Sequence, residues 1–230
     1  GNIIRQSIVD TDLTWVIQEQ QLGTGHALMQ AQSYLDKDGF TLVLYGDVPL
    51  VSVDTLQKLI VTAQEKHCAL LTAVVEDPTG YGRIVRDSET EAVTAIIEQK
   101  DANRDQQSIC EINTGIMLVP NAYLHEWLPK LENKNAQHEY YLTDIIAMAA
   151  KQNVRVVSSQ PANLWEVMGV NNKRQLAELE RIYQKEYAGK LLDRGVSVAD
   201  PARIDIRGEL ICGSDVEIDI DCIFEGIVKL

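Results

Sequence analysis

Apolar residues follow two kinds of pattern in this chain, continuous runs and helical repeats. Residues 40–45 form a continuous apolar run, which is typical of a strand covered on both faces, and a second run spans residues 69–75. Ser52 is predicted to cap a helix between the runs. The apolar positions of that helix are Leu56, Leu59, Ile60 and Ala63. Strand, helix and strand form a βαβ unit with parallel strands, so the pattern predicts an α/β fold.

Upstream of this unit the pattern predicts a second strand and helix step. Residues 15–17 are a candidate strand, residues 22–26 a loop, and residues 27–35 a helix. Downstream, short alternating segments predict an inserted antiparallel or mixed-sheet region at residues 82–86, 93–98 and 114–119. Further elements are expected in this order: a helix over residues 121–131, a helix over 142–151 and a strand over 154–158.

The last third of the chain has a different organisation. We expect the first domain to close near Asn171, and a long amphipathic helix over residues 172–192 to connect it to the C-terminal residues. After residue 200, apolar residues recur every six positions in two offset registers, at Leu210, Val216, Cys222 and Val228, and at Cys212, Ile218, Phe224 and Leu230. Six residues is the period of the hexapeptide β-helix, although three hexads are also compatible with a plain sheet. The apolar ending and the missing first βα turn predict that this chain is a fragment.

Charge and composition exclude several classes of protein. The 21 Lys and Arg residues against 34 Asp and Glu residues give a net charge of −13, so no basic surface is expected for nucleic acid. No apolar stretch is long enough to cross a bilayer and no signal peptide is recognisable, which favours a cytoplasmic protein without membrane insertion. The four cysteines lack the spacing of a zinc site, and we expect free, mostly buried thiols.

Several polar residues lie where a ligand could bind, although each has an ordinary structural explanation. Asp47 follows the strand of residues 40–45, at the sheet edge where α/β proteins bind ligands, but it could equally serve a turn. Gly23 and Thr24 lie in a Gly-Thr-Gly loop that either cradles a ligand or simply turns. Glu98 could bind sugar hydroxyls or pair with a surface lysine, and Asn171 by default caps a helix.

The four histidines share no metal spacing, and no Ser/His/Asp set is recognisable. Taken together, the loops nevertheless resemble the bacterial bifunctional N-acetylglucosamine-1-phosphate uridyltransferase/glucosamine-1-phosphate acetyltransferase family along the whole chain. The motifs that carry the resemblance are Gln18-Glu19-Gln20-Gln21-Leu22-Gly23-Thr24-Gly25-His26-Ala27, Leu44-Tyr45-Gly46-Asp47-Val48-Pro49-Leu50, Asp77-Pro78-Thr79-Gly80-Tyr81-Gly82-Arg83-Ile84, Ile97-Glu98-Gln99-Lys100-Asp101, Glu111-Ile112-Asn113-Thr114-Gly115, Glu139-Tyr140-Tyr141-Leu142-Thr143-Asp144 and Glu166-Val167-Met168-Gly169-Val170-Asn171-Asn172.

The resemblance implies a role for each matching residue. Asp47 and Asn171 would bind Mg²⁺ and form the catalytic pair, and Gln18, Gly23 and Thr24 would contact the uracil side. Tyr45 and Gly46 would contact the sugar nucleotide as well. The N-acetylglucosamine pocket would be formed by Gly82, Glu98, Asn113, Tyr141 and Thr143.

The implied reaction joins UTP and N-acetylglucosamine 1-phosphate into UDP-N-acetylglucosamine and pyrophosphate, for cell-wall precursors. Acetyl-CoA and a homotrimer are expected only for the full-length protein. The family's N-terminal Gly-x-Gly-Thr phosphate loop, the lysine after it and most β-helix coils are absent from these 230 residues, so we expect little activity from this piece alone. Another sugar-1-phosphate nucleotidyltransferase, or a non-catalytic sugar-nucleotide-binding subunit, remains as an alternative.

The implied organisation has three parts. Residues 1–171 would be a partial Rossmann-like nucleotidyltransferase domain, incomplete at its N-terminus. Residues 172–200 would be a helical linker, and residues 201–230 would begin a left-handed parallel β-helix.

Overall fold

A computed structural model describes residues 2–8, 12–64 and 67–230. The chain divides into two compact units. The first unit comprises Gly1–Tyr45 and Val53–Pro161, and the second comprises Gly46–Ser52 and Ala162–Leu230.

The first unit is built on one mixed sheet. Its strands are β1 (Phe40–Val43), β2 (Cys68–Val74), β3 (Arg83–Arg86), β4 (Val93–Ile97), β5 (Glu111–Pro120) and β6 (Val156–Ser159). The order is β4-β3-β5-β2-β6, with β1 paired to β5. Only β2 and β6 pair in parallel; β5 runs antiparallel to β1, β2 and β3, and β4 runs antiparallel to β3.

Most α-helices of the first unit pack against these strands. The helices of the unit are α1 (Asn2–Ser7), α2 (Thr24–Ala31), α3 (Val53–Ala63), α4 (Arg104–Gln107), α5 (Asn121–Trp127) and α6 (Asp144–Lys151). The core between sheet and helices is mostly apolar, and Trp127 in it is fully buried. The indole Nε1 of Trp127 donates to Gln152 Oε1 (3.1 Å), and its ring stacks on Tyr123 with centroids 4.6 Å apart. Burial with the polar group satisfied fixes this side chain in one place.

The second unit contains the long helix α7 (Lys173–Asp193) and four strands, β7 (Ser197–Val198), β8 (Ile204–Ile211), β9 (Glu217–Ile218) and β10 (Cys222–Lys229). Strands β8 and β10 pair in parallel, with Cys222 opposite Ile204, 18 residues earlier. Eighteen residues are three hexapeptides, so the register is that of successive coils of a β-helix. The strands therefore confirm the start of a β-helix, and α7 confirms the predicted long helix.

The sheet corrects three predictions. Residues 15–17 form no strand, and Ile17 is 70% exposed, because no neighbouring strand pairs with this segment. The strands β1 and β2 are parallel in direction as expected but are not neighbours, since β5 lies between them. Asn113 lies within β5 rather than before it, because the strand begins three residues earlier than its apolar run.

Other predictions also change in detail. Thr24 and Gly25 begin α2 instead of forming a loop. The hydroxyl of Ser52 donates to Glu166 and α3 begins at the next residue, so the capping role of Ser52 stays a prediction. All four cysteines are free as expected, but only Cys68 is buried, so the expectation of mostly buried thiols was wrong. Desolvation raises the pKa of the Cys68 thiol to about 12. Among the described residues, no helix has both the length and the apolar character needed to cross a membrane.

Candidate active site

Four candidate residues meet at one end of the mixed sheet and form what we call the Glu98 cluster: Gly82, Glu98, Asn113 and Thr143. The backbone N–H of Asn113 donates to the Gly82 carbonyl (2.8 Å), which joins β5 to the residue before β3. The Thr143 hydroxyl donates to Glu98 Oε1 (3.0 Å). A Cβ on Gly82 would lie 3.4 Å from both carboxylate oxygens of Glu98, so the carboxylate lies directly beside this glycine.

The Glu98 carboxylate is partly buried. Desolvation raises its pKa, the hydrogen bond from Thr143 acts in the opposite direction, and the negative charge of Asp101 adds to the increase. One carboxylate oxygen accepts from Thr143, and the group has further lone pairs for a ligand. A carboxylate in this setting suits the recognition of hydroxyl groups, which can donate to it.

Asn113 adds a donor to the cluster. It is 9% exposed, and its Oδ1 accepts from the backbone N–H of Gly115 (3.1 Å). Among the described residues its Nδ2 has no acceptor, so this amide group can donate to a ligand.

A cavity of about 300 Å³ adjoins the cluster through Glu98. Its lining includes Tyr141, Asp101 and Asp144, and the pKa of Asp144 is raised by desolvation and then by the charges of Glu98 and Asp101. The Tyr141 hydroxyl accepts from Gln137 Nε2 (3.0 Å), which fixes the ring at the wall. The concentration of negative charge makes this cavity suitable for a neutral polar group and unsuitable for a phosphate.

The segment that carries Tyr141 and Thr143 also contacts the candidate residues Gly23 and Thr24. The backbone N–H of Leu142 donates to the Thr24 hydroxyl (3.1 Å). Gly23 has a φ of 103°, and a Cβ there would lie 2.7 Å from the Tyr140 carbonyl oxygen, so only glycine fits this approach.

Gln18 lies on the same side of the unit. Its Nε2 donates to the Gly23 carbonyl (3.1 Å) and lies 3.0 Å from His26 Nδ1. The fold thus brings Gln18, Gly23 and Thr24 together and connects them to the segment of the Glu98 cluster.

Tyr45 lies over the sheet at Gly115. Gly115 has a φ of 85°, and a Cβ at this position would collide with the Tyr45 ring. The glycine therefore allows the Tyr45 ring to approach β5 closely, two residues from Asn113.

Asp47 and Asn171 both lie in the second unit, and we call them the Asp47 pair. The Asp47 carbonyl accepts from the backbone N–H of Val170 (2.8 Å), so Asp47 lies beside the residue that precedes Asn171. A Cβ on Gly169 would lie 4.0 Å from Asp47 Oδ2, which shows that the carboxylate faces this segment. Two residues that are far apart in the chain are thereby brought to one place.

Asn172, and not Asn171, caps α7. Its Oδ1 accepts from the backbone N–H groups of Arg174 and Gln175 (3.0 Å each). The Asn171 side chain is exposed and has no hydrogen bond to any other described residue, while its backbone N–H donates to Gln175 Oε1 (2.8 Å). The default capping role thus belongs to the neighbouring asparagine, and the Asn171 amide remains available to a ligand.

A buried glutamate holds the two segments of the Asp47 pair together. Glu166 is 2% exposed, and its Oε2 accepts from the hydroxyl (2.6 Å) and the backbone N–H (3.2 Å) of Ser52. Its Oε1 accepts from the Asn163 backbone N–H (3.1 Å). Glu166 therefore joins residues 46–52 to residues 162–171. Glu166 stands in one of the motifs that carry the family resemblance. Its role in joining the two segments is visible only from its contact with Ser52.

The donor set of the Asp47 pair fits a hard divalent metal. A carboxylate and a carboxamide offer oxygen donors, and Mg²⁺ commonly takes one or two protein oxygens and completes its shell with water and phosphate oxygens. Across residues 2–8, 12–64 and 67–230, no three or more His, Cys, Asp or Glu side chains are grouped to hold a metal. A metal bound by this pair would therefore be shared with a ligand.

Comparison with known proteins identifies the family. A family model described as nucleotidyl transferase matches residues 3–185. The Bifunctional protein GlmU of Nitrosospira multiformis is 63% identical over 230 residues, which are 100% of this chain and 50% of that protein. The Bifunctional protein GlmU of Nitrosomonas europaea is 57% identical over 231 residues, with the same coverage. The chain thus spans about half the length of the curated relatives it matches.

Solved structures share the fold at low sequence identity. A UDP-glucose pyrophosphorylase complexed with UDP-glucose matches with a TM-score of 0.61 and 19% identity, covering 80% of this chain and 70% of that one. A putative glucose-1-phosphate thymidylyltransferase from Bacillus anthracis matches with a TM-score of 0.56 and 20% identity, covering 72% and 63%. The predicted Rossmann-like α/β nucleotidyltransferase fold is confirmed.

Proposed function

This chain belongs to the nucleotidyl transferase family, and we propose that the protein containing it transfers a uridylyl group from UTP to N-acetylglucosamine 1-phosphate. The products would be UDP-N-acetylglucosamine, a precursor for cell-wall synthesis, and pyrophosphate. The observation that carries the proposal is the Glu98 cluster, whose buried donors and acceptors suit a hydroxylated, uncharged ring. The relatives named Bifunctional protein GlmU support the same conclusion.

The sugar would be bound by the Glu98 cluster together with Tyr141. Glu98 would accept from ring hydroxyls, the Asn113 Nδ2 would donate, and the absence of a side chain at Gly82 leaves room beside the carboxylate. Because these groups are already held by Thr143 and the β-sheet, little ordering would be required on binding.

The nucleotide would be bound by Gln18, Gly23 and Thr24 on the uracil side, and by Tyr45 and Gly46. Gly23 lets the backbone come close to a flat ligand. Thr24 begins α2, and because its hydroxyl oxygen accepts from Leu142, the hydroxyl proton is left to donate to a ligand.

The Asp47 pair would hold Mg²⁺, which when bound would neutralise phosphate charge and align the two substrates. A phosphate oxygen of the sugar phosphate would attack the α-phosphorus of UTP in line, and the bond to pyrophosphate would break. Both substrates are anionic, so the chain's own contribution is to place them at the right distance and angle. Asp47 and Asn171 would keep the metal in position, with Glu166 bracing their two segments.

The remaining expectations belong to the same proposal. Residues 1–171 would form a partial uridyltransferase domain, residues 172–200 a linker, and residues 201–230 the start of an acetyltransferase β-helix. The full-length protein would also acetylate glucosamine 1-phosphate with acetyl-CoA and assemble as a homotrimer.

The test is pyrophosphate release by the full-length protein. We expect release from UTP to require both N-acetylglucosamine 1-phosphate and Mg²⁺, and to stop on addition of EDTA. Preference for dTTP, ATP or another sugar phosphate in parallel reactions would favour a different nucleotidyltransferase. Binding of UDP-N-acetylglucosamine without any turnover would favour a non-catalytic subunit.

A further inference from the structure

Arg83 is a buried arginine without a carboxylate partner in the described part of the chain. It is 1% exposed at the start of β3, and it belongs to none of the ion pairs formed by the described residues. Arg86 in the same strand shows the contrast, because two of its nitrogens donate to the two carboxylate oxygens of Glu111 (2.8 and 2.7 Å). The Asp77 carboxylate interacts with Arg83 electrostatically but forms no ion pair with it, so the buried guanidinium depends on hydrogen bonds to neutral groups.

The Arg83 guanidinium connects two loops. One terminal nitrogen donates to the backbone carbonyl of Tyr81, and the other donates to Gln99 Oε1 (2.6 Å). Gln99 Oε1 also accepts from the backbone N–H of Gly80 (3.3 Å). The Nε of Arg83 has no acceptor among the described residues, so Tyr81 and Gln99 are the two groups that hold the side chain.

Each connected residue is next to a member of the Glu98 cluster. Tyr81 and Arg83 flank Gly82 in the chain, and Gln99 follows Glu98. Fixing the Tyr81 carbonyl therefore fixes the backbone at Gly82, and fixing Gln99 limits the movement of the turn that carries Glu98. Gly82 is closely packed on one side, since a Cβ at this position would lie 3.0 Å from Ile96 Cγ2 as well as 3.4 Å from the Glu98 carboxylate oxygens.

We propose that Arg83 and Gln99 are positioning residues for sugar recognition, which hold the Gly82 backbone and the Glu98 carboxylate at the spacing that accepts the sugar. Neither side chain would touch the substrate. The inference rests on the proposed function, because it assigns the Glu98 cluster to the sugar. It predicts that loosening this connection weakens binding of the sugar phosphate and leaves the nucleotide side unchanged.

Two substitutions of Gln99 separate positioning from a general effect on the fold. Gln99→Met has a similar length but accepts no hydrogen bond, so Gly80 and Arg83 both lose a partner. Gln99→Glu keeps an acceptor oxygen for both donors. Gln160→Met is the matched control, because it makes the same exchange at an exposed side chain of the first unit that has no hydrogen bond to the described residues.

Steady-state kinetics of the full-length protein give the main measurement. For Gln99→Met we expect the KM of N-acetylglucosamine 1-phosphate to rise about tenfold, with the KM of UTP within about twofold of wild type. Gln99→Glu should restore the sugar-phosphate KM to within about threefold, and Gln160→Met should leave both KM values unchanged. Amide hydrogen exchange gives a readout independent of activity, and the Gly80 N–H should exchange faster in Gln99→Met than in Gln99→Glu.

The outcomes are distinct. Equal increases in both KM values, an unchanged sugar-phosphate KM, or failure of Gln99→Glu to rescue would overturn the positioning role while wild-type turnover still supports the proposed function. An inactive wild type would overturn the proposed function, and the inference with it.

Discussion

The Glu98 cluster and the Asp47 pair differ in how the rest of the chain holds them. The cluster lies in the first unit, and its members Thr143 and Asn113 are almost fully buried. Thr143 donates to Glu98, and the backbone N–H of Asn113 donates to Gly82. Asp47 and Asn171 lie in the second unit with exposed side chains, and neither side chain bonds to another described residue. Residues of the cluster would therefore serve both folding and the proposed binding, whereas the side chains of the pair make no hydrogen bond that supports the described part of the fold.

The largest effect is expected from Asp47→Ala. Loss of the proposed metal carboxylate should lower kcat/KM about a hundredfold or more, since a bound metal stabilises the transition state by several kcal/mol. The melting temperature should stay unchanged, because the Asp47 side chain is exposed and supports no other group.

Asp38→Ala is the control for this substitution, as another exposed aspartate in a coil of the chain. Turnover and thermal unfolding are measured for both variants. A marked drop in the melting temperature of Asp47→Ala would show that the pair is structural, and the contrast with the cluster would then be lost.

Gly115→Ala should produce the opposite result, in which stability and binding fall together. The new Cβ would meet the Tyr45 ring at a φ of 85°, so we expect a loss of about 2 kcal/mol in the free energy of unfolding. The backbone N–H of Gly115 also holds Asn113 Oδ1, so sugar-phosphate affinity should fall as well. Urea unfolding and calorimetric binding measure the two effects, and a neutral result in unfolding would contradict the close packing.

Glu98→Gln tests the cluster further, because sugar-phosphate affinity should fall while stability at neutral pH should rise. Without the carboxylate, sugar-phosphate affinity should fall about tenfold, as expected when a charged hydrogen-bond acceptor is lost. Burial raises the pKa of Glu98, so the folded state binds its proton more tightly than the unfolded state does. The stability that this group contributes is present below its unfolded pKa and is lost as pH rises through the folded pKa.

The glutamine variant should therefore unfold at a higher temperature than wild type at neutral pH, and this gain should disappear near pH 4. Thermal unfolding at the two pH values tests the sign. A lower melting temperature at neutral pH would mean that the charged form is stabilised in the fold, contrary to the direction of the pKa shift.

The sequence predicted the elements whose apolar pattern is strong and local. The long helix α7 and the hexapeptide repeat were predicted from side-chain periodicity. In the structure, β8 and β10 pair with a spacing that is a multiple of this six-residue repeat. The candidate strand at residues 15–17 failed, since three apolar residues do not specify a pairing partner. The position of β5 between β1 and β2 is set by long-range pairing, which local pattern does not contain.

The candidate site was predicted through the resemblance of its loops, because single residues had equally good structural explanations. Glu166, Arg83 and Gln99 received no role from the sequence, although all three stand in the motifs that carry the resemblance. Their importance comes from contacts between segments, such as Ser52 with Glu166, that sequence spacing does not encode.

Two adjacent asparagines give the smallest effects and the most direct contrast between folding and function. Asn172→Ala removes the cap of α7 and should lower the free energy of unfolding by about 1 kcal/mol, with little change in turnover. Asn171→Ala removes an exposed side-chain amide that bonds to no described residue, so stability should hold while kcat/KM falls roughly fivefold, less than for the proposed charged ligand Asp47. Each variant serves as the control for the other in chemical unfolding and turnover. If both asparagines reduced stability and neither reduced turnover, Asn171 would belong to the helix start and the metal pair would lose its second member.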